Sequence, residues 1–271
     1  MTRGVPKGWH GVAFNTATES ENRIHADDVA QRFGFRGGLV PGVTVFAYLV
    51  QPAIEAWGLA WLCGGAATLV CKKPLYDGAR FETSVTTDGD AAYAGRVIDD
   101  AGVLCAEGRV SLPRELPAAL LRRGDGPVCA LEARPPVTRD AMERLRANGM
   151  GALRLRWNAD GEMGRTSRDV AHMPDLVRPD RAGFANPAFV LGLANWVLAR
   201  NVRLDAWIHA QSEAQLFAPV PLGTEITVEA RVVDLFDKGG HEFVDLEVAA
   251  FSDARALMSA KHRAIYKLRG A

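Results

Sequence analysis

The sequence predicts an α+β protein in which one long buried helix, followed by an antiparallel sheet, occurs twice. Two observations lead to this fold class. An apolar helix pattern from Val43 to Trp57 is followed by several short strand patterns, and the same order of features returns in the second half of the 271-residue chain. A chain of this length can bury a sizeable core, either as one large domain or as two modules.

The first half begins with a predicted strand at 9–14 and a polar run at 15–22. From Val43, apolar residues recur at helical spacing as far as Trp57, and Gly58 is a suitable C-terminal stop. Strand patterns follow at 66–72, 79–86, 91–98 and 103–112, separated by turn signals rich in Asp and Gly. This half is therefore predicted to be one buried helix followed by an antiparallel meander.

Between the halves, residues 113–136 mix Pro, Arg, Gly and Ala without a sustained period, as is typical of a connection that runs over a surface. Thr138 is a candidate N-cap for a short helix from Arg139 to Asn148, which Gly149 ends, and 153–157 alternates like a strand. We therefore divide the chain into a first module at 1–113, a linker at 114–150 and a second module at 151–271.

The second module repeats anchors of the first in the same order. These anchors are the apolar helix starting at Pro41 and again at Pro187, the Pro-x-x-x-Gly motif starting at Pro74 and again at Pro219, and the turn starting at Asp100 and again at Asp253. The extra length of the second copy falls at 234–242, where Lys238-Gly239-Gly240 marks a hairpin turn. The order of these anchors indicates a tandem of two similar units.

The composition excludes several classes of function. The 32 basic and 32 acidic residues cancel, without a long run of one sign, so neither nucleic acid nor an anionic membrane is an expected partner. The N-terminal residues have no apolar run of signal-peptide length and no segment is long enough to span a membrane, which predicts a cytoplasmic location. The cysteines have unrelated spacings, which predicts reduced thiols and no metal site: Cys63, Cys71, Cys105 and Cys129.

Polar and turn residues are concentrated at 20–57, which indicates a binding site. The pattern there is Asn22-Arg-Ile-His25-Ala-Asp27, followed by Ala30, Gly34-Phe35 and the Pro41-Gly42 turn. It resembles the motif of the R-specific enoyl-CoA hydratases, the MaoC-like group, and the repeated helix and meander resemble the double (tandem) hotdog fold. The resemblance implies two long central helices wrapped by a continuous antiparallel β-sheet, with ligand sites where the two halves meet.

The resemblance also assigns roles to residues. His25 takes the position of the general base, and Ser20 stands where the family has the aspartate that shares a water with the histidine. Three explanations stay open: Glu19 or Glu21 supplies the carboxylate after a local shift, a related reaction needs only His25, or this half binds an acyl thioester without converting it. Asn22 would help to fix the turn. An imidazole suits the role of base because its ordinary pKa lies near working pH.

The thioester carbonyl is expected at the N-terminus of the first long helix, where unpaired backbone N–H groups can stabilise an enolate-like oxygen. The residues expected to bind the substrate there are Gly37, Gly38, Pro41, Gly42 and Val43. The second half offers Asp169 and His172 at the places of Asn22 and His25, and Asn195 inside its apolar helix. Two sites or one composite site are both compatible with this pattern.

We therefore expect an enzyme of fatty acid metabolism, a lyase that adds or removes water across the 2,3 bond of an enoyl- or 3-hydroxyacyl-CoA or carrier-protein thioester. No cofactor is expected apart from the coenzyme A of the substrate, and a homodimer is a possible assembly. Two alternatives stay open, a hotdog thioesterase, for which Glu55 is the one acid in the first long helix, and a non-catalytic binding protein, which Ser20 favours. His209, His241 and His262 are predicted to be structural.

Overall fold

The structure is a computed structural model that describes residues 4–161 and 163–270. Residues 1–3 and 162, in the two predicted modules, and residue 271 lie outside the described part. The first half contains, in order, β1 (Trp9–Val12), α1 (Asp27–Arg32), α2 (Gly42–Trp57), α3 (Leu59–Gly64), β2 (Ala66–Cys71), β3 (Arg80–Thr87), β4 (Ala92–Asp99) and β5 (Leu104–Ser111). The rest contains α4 (Arg139–Asn148), β6 (Leu153–Arg156), α5 (Pro187–Asn201), β7 (Ile208–Leu216), β8 (Glu225–Lys238), β9 (His241–Ser252) and β10 (Arg255–Lys267).

The strands form one ten-stranded sheet in the order β1-β3-β4-β5-β2-β7-β10-β9-β8-β6. The halves join in its middle, where β2 and β7 pair antiparallel with Ala66 opposite Gln215 and Val70 opposite Gln211. The strand order on one side of this join mirrors the order on the other, with β1 matching β6 and β2 matching β7. The prediction of two similar α+β units that share a continuous antiparallel sheet is confirmed.

Helix α2 is buried over almost its whole length even though Pro52 lies inside it. Because proline has no N–H group, the carbonyl of Tyr48 loses its partner within the helix. That carbonyl instead accepts hydrogen bonds from Nε1 of Trp9 at 3.0 Å and from Oγ1 of Thr83 at 3.2 Å. The side chains of the sheet thereby allow the helix to continue to its predicted end.

Close contact between α2 and the sheet depends on a pair of glycines. Gly95 and Gly108 face each other across β4 and β5, and a Cβ atom on either would lie within 3 Å of a methyl group of Leu49, at 2.7 and 2.9 Å. The missing side chains leave a slot for Leu49, which is fully buried. Helix α5 packs beside α2, and both belong to one hydrophobic core that extends across the two halves.

The connection between the halves runs over the face of the sheet opposite the helices, and Glu229 of β8 anchors it. Its carboxylate is 1% exposed and accepts backbone N–H groups from three successive residues, Arg123 at 2.6 Å, Gly124 at 2.9 Å and Asp125 at 3.1 Å. The domain boundaries themselves stay a prediction, because the two halves share one sheet and one core.

Local elements agree closely with the sequence patterns, except that two short helices, α1 and α3, were not predicted. Helix α4 spans Arg139–Asn148, its N-cap Thr138 accepts from the N–H of Ala141, and it ends at Gly149, as predicted. Helix α3 was not predicted, and it follows α2 directly after Gly58, whose φ of +57° turns the chain. None of the helices in the described part is both long and apolar enough to cross a membrane.

Candidate functional site

A cavity of about 210 Å³ lies at the junction of the two halves, between the N-terminus of α2 and the end of the β2–β7 pairing. Its wall is mainly apolar, with a few polar groups, which is the usual character of a small-molecule site. The first half supplies, among others, Asn22, Ile24, His25, Phe35, Leu39, Pro41, Gly42, Val45, Cys71, Lys73, Leu75 and Cys105, and the second half supplies Asn195, Trp207, Ile208, His209, Ala210 and Ile265. The site is therefore composite.

A larger depression of about 510 Å³ lies on the opposite face of the sheet, beside the connecting segment. It is open, and its wall consists largely of small residues and of charged side chains such as Lys261 and Glu213, which form a salt bridge at 3.6 Å. It holds none of the residues that the motif singled out. The smaller cavity is the better candidate because it is more enclosed and contains the histidine of the motif.

His25 ends a single 3₁₀ turn that Asn22 caps. The side chain of Asn22 accepts a hydrogen bond from the N–H of Ile24, as expected for an N-cap residue. Asn15 also holds the end of the turn, because its Nδ2 donates to the carbonyl of His25 at 2.9 Å. Asn22 and Asn15 together hold the shape of this turn.

The hydrogen bonds of the His25 ring define its protonation. Nδ1 lies 2.7 Å from the carbonyl oxygen of Leu39, which can only accept, so Nδ1 carries a proton. Nε2 lies 3.2 Å from Nδ2 of Asn22, which can only donate, so Nε2 presents its lone pair. Burial lowers the pKa of His25 to about 4, partly offset by the bond to Leu39, and the ring is therefore a neutral base at neutral pH.

Asn22 also connects the turn to the second half of the chain. Its Oδ1 accepts from the N–H of Trp207 at 3.2 Å, and its Nδ2 donates to the carbonyl of Trp207 at 3.0 Å. Together with the bonds to Ile24 and His25, these contacts use every donor and two acceptor positions of the amide. The position of His25 therefore depends on the packing of the two halves against each other.

No carboxylate lines the cavity within the described part of the chain. Ser20 accepts a hydrogen bond from the N–H of Asn22 at 3.2 Å and supports the turn from outside. Glu19 is exposed, and Glu21 forms an ion pair with the buried Arg134 at 2.9 Å, whose hydrogen bond lowers the pKa of Glu21. Among the described residues, therefore, neither Glu19 nor Glu21 replaces the family's aspartate beside His25, and Ser20 forms no hydrogen bond with the ring of His25.

The N-terminus of α2 opens into the cavity without a cap. Pro41 holds the N-cap position and has no side-chain hydrogen bond to offer. The first backbone bonds of the helix are donated by Thr44 and Val45 to the carbonyl of Pro41, so within the described residues the N–H groups of Gly42 and Val43 are left without a partner. Unpaired donors and the helix dipole make this end attractive to an anionic or carbonyl oxygen.

The corresponding end of α5 is closed. Asn186 is fully buried and its Oδ1 accepts from the N–H of Phe189 at 3.1 Å, while its Nδ2 donates to the carbonyl of Met163 at 2.6 Å. The helix end that would serve a second site is therefore already occupied by a side chain. The two halves share an architecture but differ at the position where a ligand would bind.

The other predicted residues of the first half divide into two groups. Pro41 and Gly42 line the cavity, and Val43 follows them in the first turn of α2. Gly37 and Gly38 do not line it: a Cβ atom on Gly38 would lie 2.1 Å from the carbonyl oxygen of His25, and one on Gly37 would lie 2.9 Å from Oδ1 of Asp27. These two glycines are required by packing within the His25 segment rather than by a ligand.

The candidates of the second half also separate. Asp169 caps the 3₁₀ turn at Val170–His172 as Asn22 caps the first one, but the side chain of His172 is 61% exposed and lies outside the cavity that contains His25. Asn195, in contrast, reaches from α5 into that cavity, and its buried Oδ1 has no hydrogen-bond partner. Residues of both halves therefore line one cavity, and His172 lies apart from it.

His209 lines the cavity, although the sequence predicts only a structural role for it. Its Nε2 bonds to Oγ of Ser212 at 2.7 Å, and the same hydroxyl bonds to Nδ1 of His262 at 2.8 Å. A β-bulge between β7 and β10 shifts the register between Arg263 and Ala264, which lets residues three apart on β7 face the same side. No pattern in the sequence predicts such a bulge.

Comparison with solved structures identifies the architecture. A conserved protein from Mycobacterium tuberculosis, described as having a double hotdog fold, superposes with a TM-score of 0.52 at 15% identity over 96% of both chains. The chain has the double hotdog fold. A protein described as a MaoC domain dehydratase from Chloroflexus aurantiacus superposes with a TM-score of 0.52 at 12% identity, over 100% of this chain and 99% of the other.

A protein with a different described activity is about as similar to this chain. A protein described as a thioesterase from Novosphingobium aromaticivorans gives a TM-score of 0.51 at 14% identity, over 85% of this chain and 88% of the other. No protein-family model and no curated protein matches the sequence. At these identities the comparisons establish the fold, and the function has to be argued from the cavity.

Proposed function

We propose that the protein binds an acyl thioester in the cavity between its halves and acts on it as a 2,3-hydratase or dehydratase, with His25 as its acid–base group. The observation that carries this proposal is the uncapped N-terminus of α2, which opens beside a buried neutral histidine. A mainly apolar wall suits an acyl chain. The similarity to MaoC-like dehydratases and to thioesterases supports the choice of thioester as ligand class at the level of the fold.

The helix end provides the electrostatic part of the reaction. A thioester carbonyl placed at the free N–H groups of Gly42 and Val43 gains negative charge when water attacks C3, because the electrons of the double bond move onto the oxygen as an enolate. Preorganised backbone donors at a helix N-terminus stabilise such an oxyanion without reorganisation. The enolate then takes a proton at C2 to complete the addition.

His25 provides the proton transfer. Its Nε2 lone pair accepts a proton from the attacking water, and the imidazolium returns that proton to C2, so protons and electrons balance without a further reagent. Because no carboxylate lines the cavity in the described part of the chain, one nitrogen has to serve both steps. A water molecule must also replace the 3.2 Å contact between Nε2 and Asn22.

Loss of the enoyl absorbance of crotonyl-CoA on addition of the protein tests this function. His25→Ala should lower the rate by about 10²-fold or more, since general acid–base catalysis contributes 10²–10⁴-fold. His172→Ala is the matched control, because His172 ends the corresponding turn of the second half but lies on the surface, and it should leave the rate unchanged. A wild-type protein that does not convert short- or long-chain enoyl thioesters would exclude the hydratase.

A non-catalytic acyl-thioester binding protein is the second candidate. Two observations favour it, namely the position of Ser20 outside the cavity and the hydrogen bond that occupies Nε2 of His25. Calorimetry with butyryl-CoA, which has no double bond to hydrate, separates binding from turnover. Binding of butyryl-CoA without conversion of crotonyl-CoA would establish this candidate in place of the enzyme.

The thioesterase receives the least support from the geometry. Glu55, the acid of the first long helix, is exposed and accepts a hydrogen bond from Gln51 at 2.9 Å, and it does not line the cavity. A hydrolytic mechanism would need a carboxylate or an activated water near the thioester. Detection of free coenzyme A with a thiol reagent would reveal this activity directly.

A further inference from the structure

The buried chain of His209, Ser212 and His262 has more hydrogen-bonding capacity than the fold uses. The three residues are 5%, 1% and 2% exposed, respectively, and the Ser212 hydroxyl joins the two rings. Nδ1 of His209 and Nε2 of His262 are both buried without a hydrogen-bond partner. Such orphaned groups are costly, because a buried polar atom without a partner loses its bonds to water.

One end of this chain lies at the open end of α2. His209 and Gly42 both line the cavity, and a Cβ atom built on Gly42 would lie 2.7 Å from Nδ1 of His209. The unpaired ring nitrogen, contributed by the second half, therefore lies against the first residue of the helix whose N–H groups are free. Two independent sets of unpaired polar atoms meet at this point.

The Ser212 hydroxyl couples the protonation of the two rings. Burial lowers the pKa of His209 to about 4, partly offset by the backbone of Gln211, and lowers the pKa of His262 well below its ordinary value, so each ring is neutral and carries one proton. A hydroxyl donates one hydrogen bond. If it donates to His209, Nδ1 of His209 carries a proton and Nε2 of His262 is a lone pair; if it donates to His262, the reverse holds.

The arrangement in which the Ser212 hydroxyl donates to His209 places the unpaired donor at the cavity, where a ligand can accept its hydrogen bond. In it the deep orphan, Nε2 of His262, is an unpaired acceptor, and unpaired buried acceptors are less rare than unpaired donors. The orphan at the cavity, Nδ1 of His209, is then a donor beside the free N–H groups of α2. Three donors would converge on the place where a carbonyl oxygen is expected.

We propose that Nδ1 of His209 donates a hydrogen bond to the carbonyl oxygen of the acyl thioester bound at the N-terminus of α2, and that Ser212 and His262 hold the ring in the tautomer that allows it. This inference rests on the proposed function and adds a catalytic residue from the second half. His262 touches no ligand and is a positioning residue.

The test compares two amide replacements of His209. Asparagine places its amide near the position of Nδ1, whereas glutamine places its amide near the position of Nε2. His209→Asn should retain kcat/KM for crotonyl-CoA within about fivefold, and His209→Gln should lose about 10²-fold, mainly in kcat, the effect of removing one oxyanion donor. Urea unfolding of both variants checks that each is folded.

Each outcome decides the inference. Retention by His209→Gln with loss by His209→Asn would show that the contact with Ser212 matters and would overturn the inference, as would equal activity of the two folded variants, whether retained or lost. Should either variant fail to fold, ring ¹⁵N chemical shifts of the wild-type protein with butyryl-CoA decide instead: a protonated Nδ1 of His209 supports the inference and a protonated Nε2 overturns it. If the wild type neither binds butyryl-CoA nor converts crotonyl-CoA, the proposed function fails as well.

Discussion

Three buried neutral histidines should make the stability of this protein fall as the pH drops below neutrality. Burial lowers the pKa of His25 and His209 to about 4 and that of His262 well below its ordinary value, whereas in the unfolded chain each ring titrates near 6.5. Between these values the unfolded chain binds protons that the folded protein excludes. The stabilisation is therefore complete above about pH 6.5 and is lost as the pH falls toward 4.

The size of the effect follows from the two pKa values. A ring that titrates near 6.5 in the unfolded chain and near 4 in the folded protein costs about 2 kcal/mol of stability at about pH 5, and about 3 kcal/mol when titration is complete. His25 and His209 together therefore remove roughly 4 kcal/mol at about pH 5, and His262, whose pKa burial also lowers, adds to that loss. That loss is comparable to the whole free energy of unfolding of an ordinary domain, about 5–15 kcal/mol.

Urea unfolding at about pH 7.5 and about pH 5 measures this loss. His25→Asn removes one of the three rings while keeping an amide donor for the carbonyl of Leu39, which accepts from Nδ1 in the wild type. It should lose about 2 kcal/mol less than wild type between the two pH values. His172→Asn, at the exposed ring of the corresponding turn, is the control and should lose as much as wild type. An equal loss in His25→Asn and wild type would refute a neutral buried His25.

Three further predictions concern the cavity and its frame. Gly42→Ala should abolish binding of butyryl-CoA, measured by calorimetry, and lower the free energy of unfolding by about 1–3 kcal/mol, because its methyl group would lie 2.7 Å from Nδ1 of His209. Gly192→Ala is the control and should bind butyryl-CoA normally, because the nearest atom to its methyl group is the flexible sulfur of Met163 at 3.3 Å. Glu229→Gln should lower the free energy of unfolding by about 2–4 kcal/mol, because it weakens three buried bonds to a carboxylate, and limited proteolysis should then cleave the 113–136 segment faster. Lys73→Ala, an exposed residue of the cavity wall, should weaken binding of a CoA thioester about two- to fivefold but not that of the matching pantetheine thioester, since a surface charge contributes little beyond an attraction to the CoA phosphates.

Elements whose signals are local could be predicted from the sequence. The periodicity of α2, the turn residues between the strands and the cap pair of α4, Thr138 and Gly149, act over a few residues, and each element is found close to its predicted bounds. The repeat was readable because both copies keep the same turn chemistry: Gly78 and Gly223 each have φ near +75 to +79°. Even the helix through Pro52 was predicted correctly, although its compensation by Trp9 and Thr83 was not.

Only the part of the candidate site that depends on local signals could be predicted from the sequence. The motif located Asn22 and His25 and the structure places both in the cavity, because the turn between them is a local feature capped by a neighbouring side chain. The motif could not show that Ser20 supports the turn from outside or that Glu21 turns away to Arg134. Glu21 is directed by Arg134, 113 residues away in the chain, and whether Ser20 faces the cavity depends on how the turn packs against the second half.

By itself, then, the sequence determined the tandem of two α+β units, the long helices and the histidine turn, because local periodicity, turn chemistry and capping act within a few residues. Only the tertiary structure decided which polar groups share a cavity. The pairing of β2 with β7 brings Asn195 and His209 of the second half to the open end of α2, the bulge near Ala264 aligns His209 with Ser212, and Asn186 closes the corresponding end of α5. Strand register and helix packing join residues far apart in the chain, and no local pattern encodes where their side chains meet.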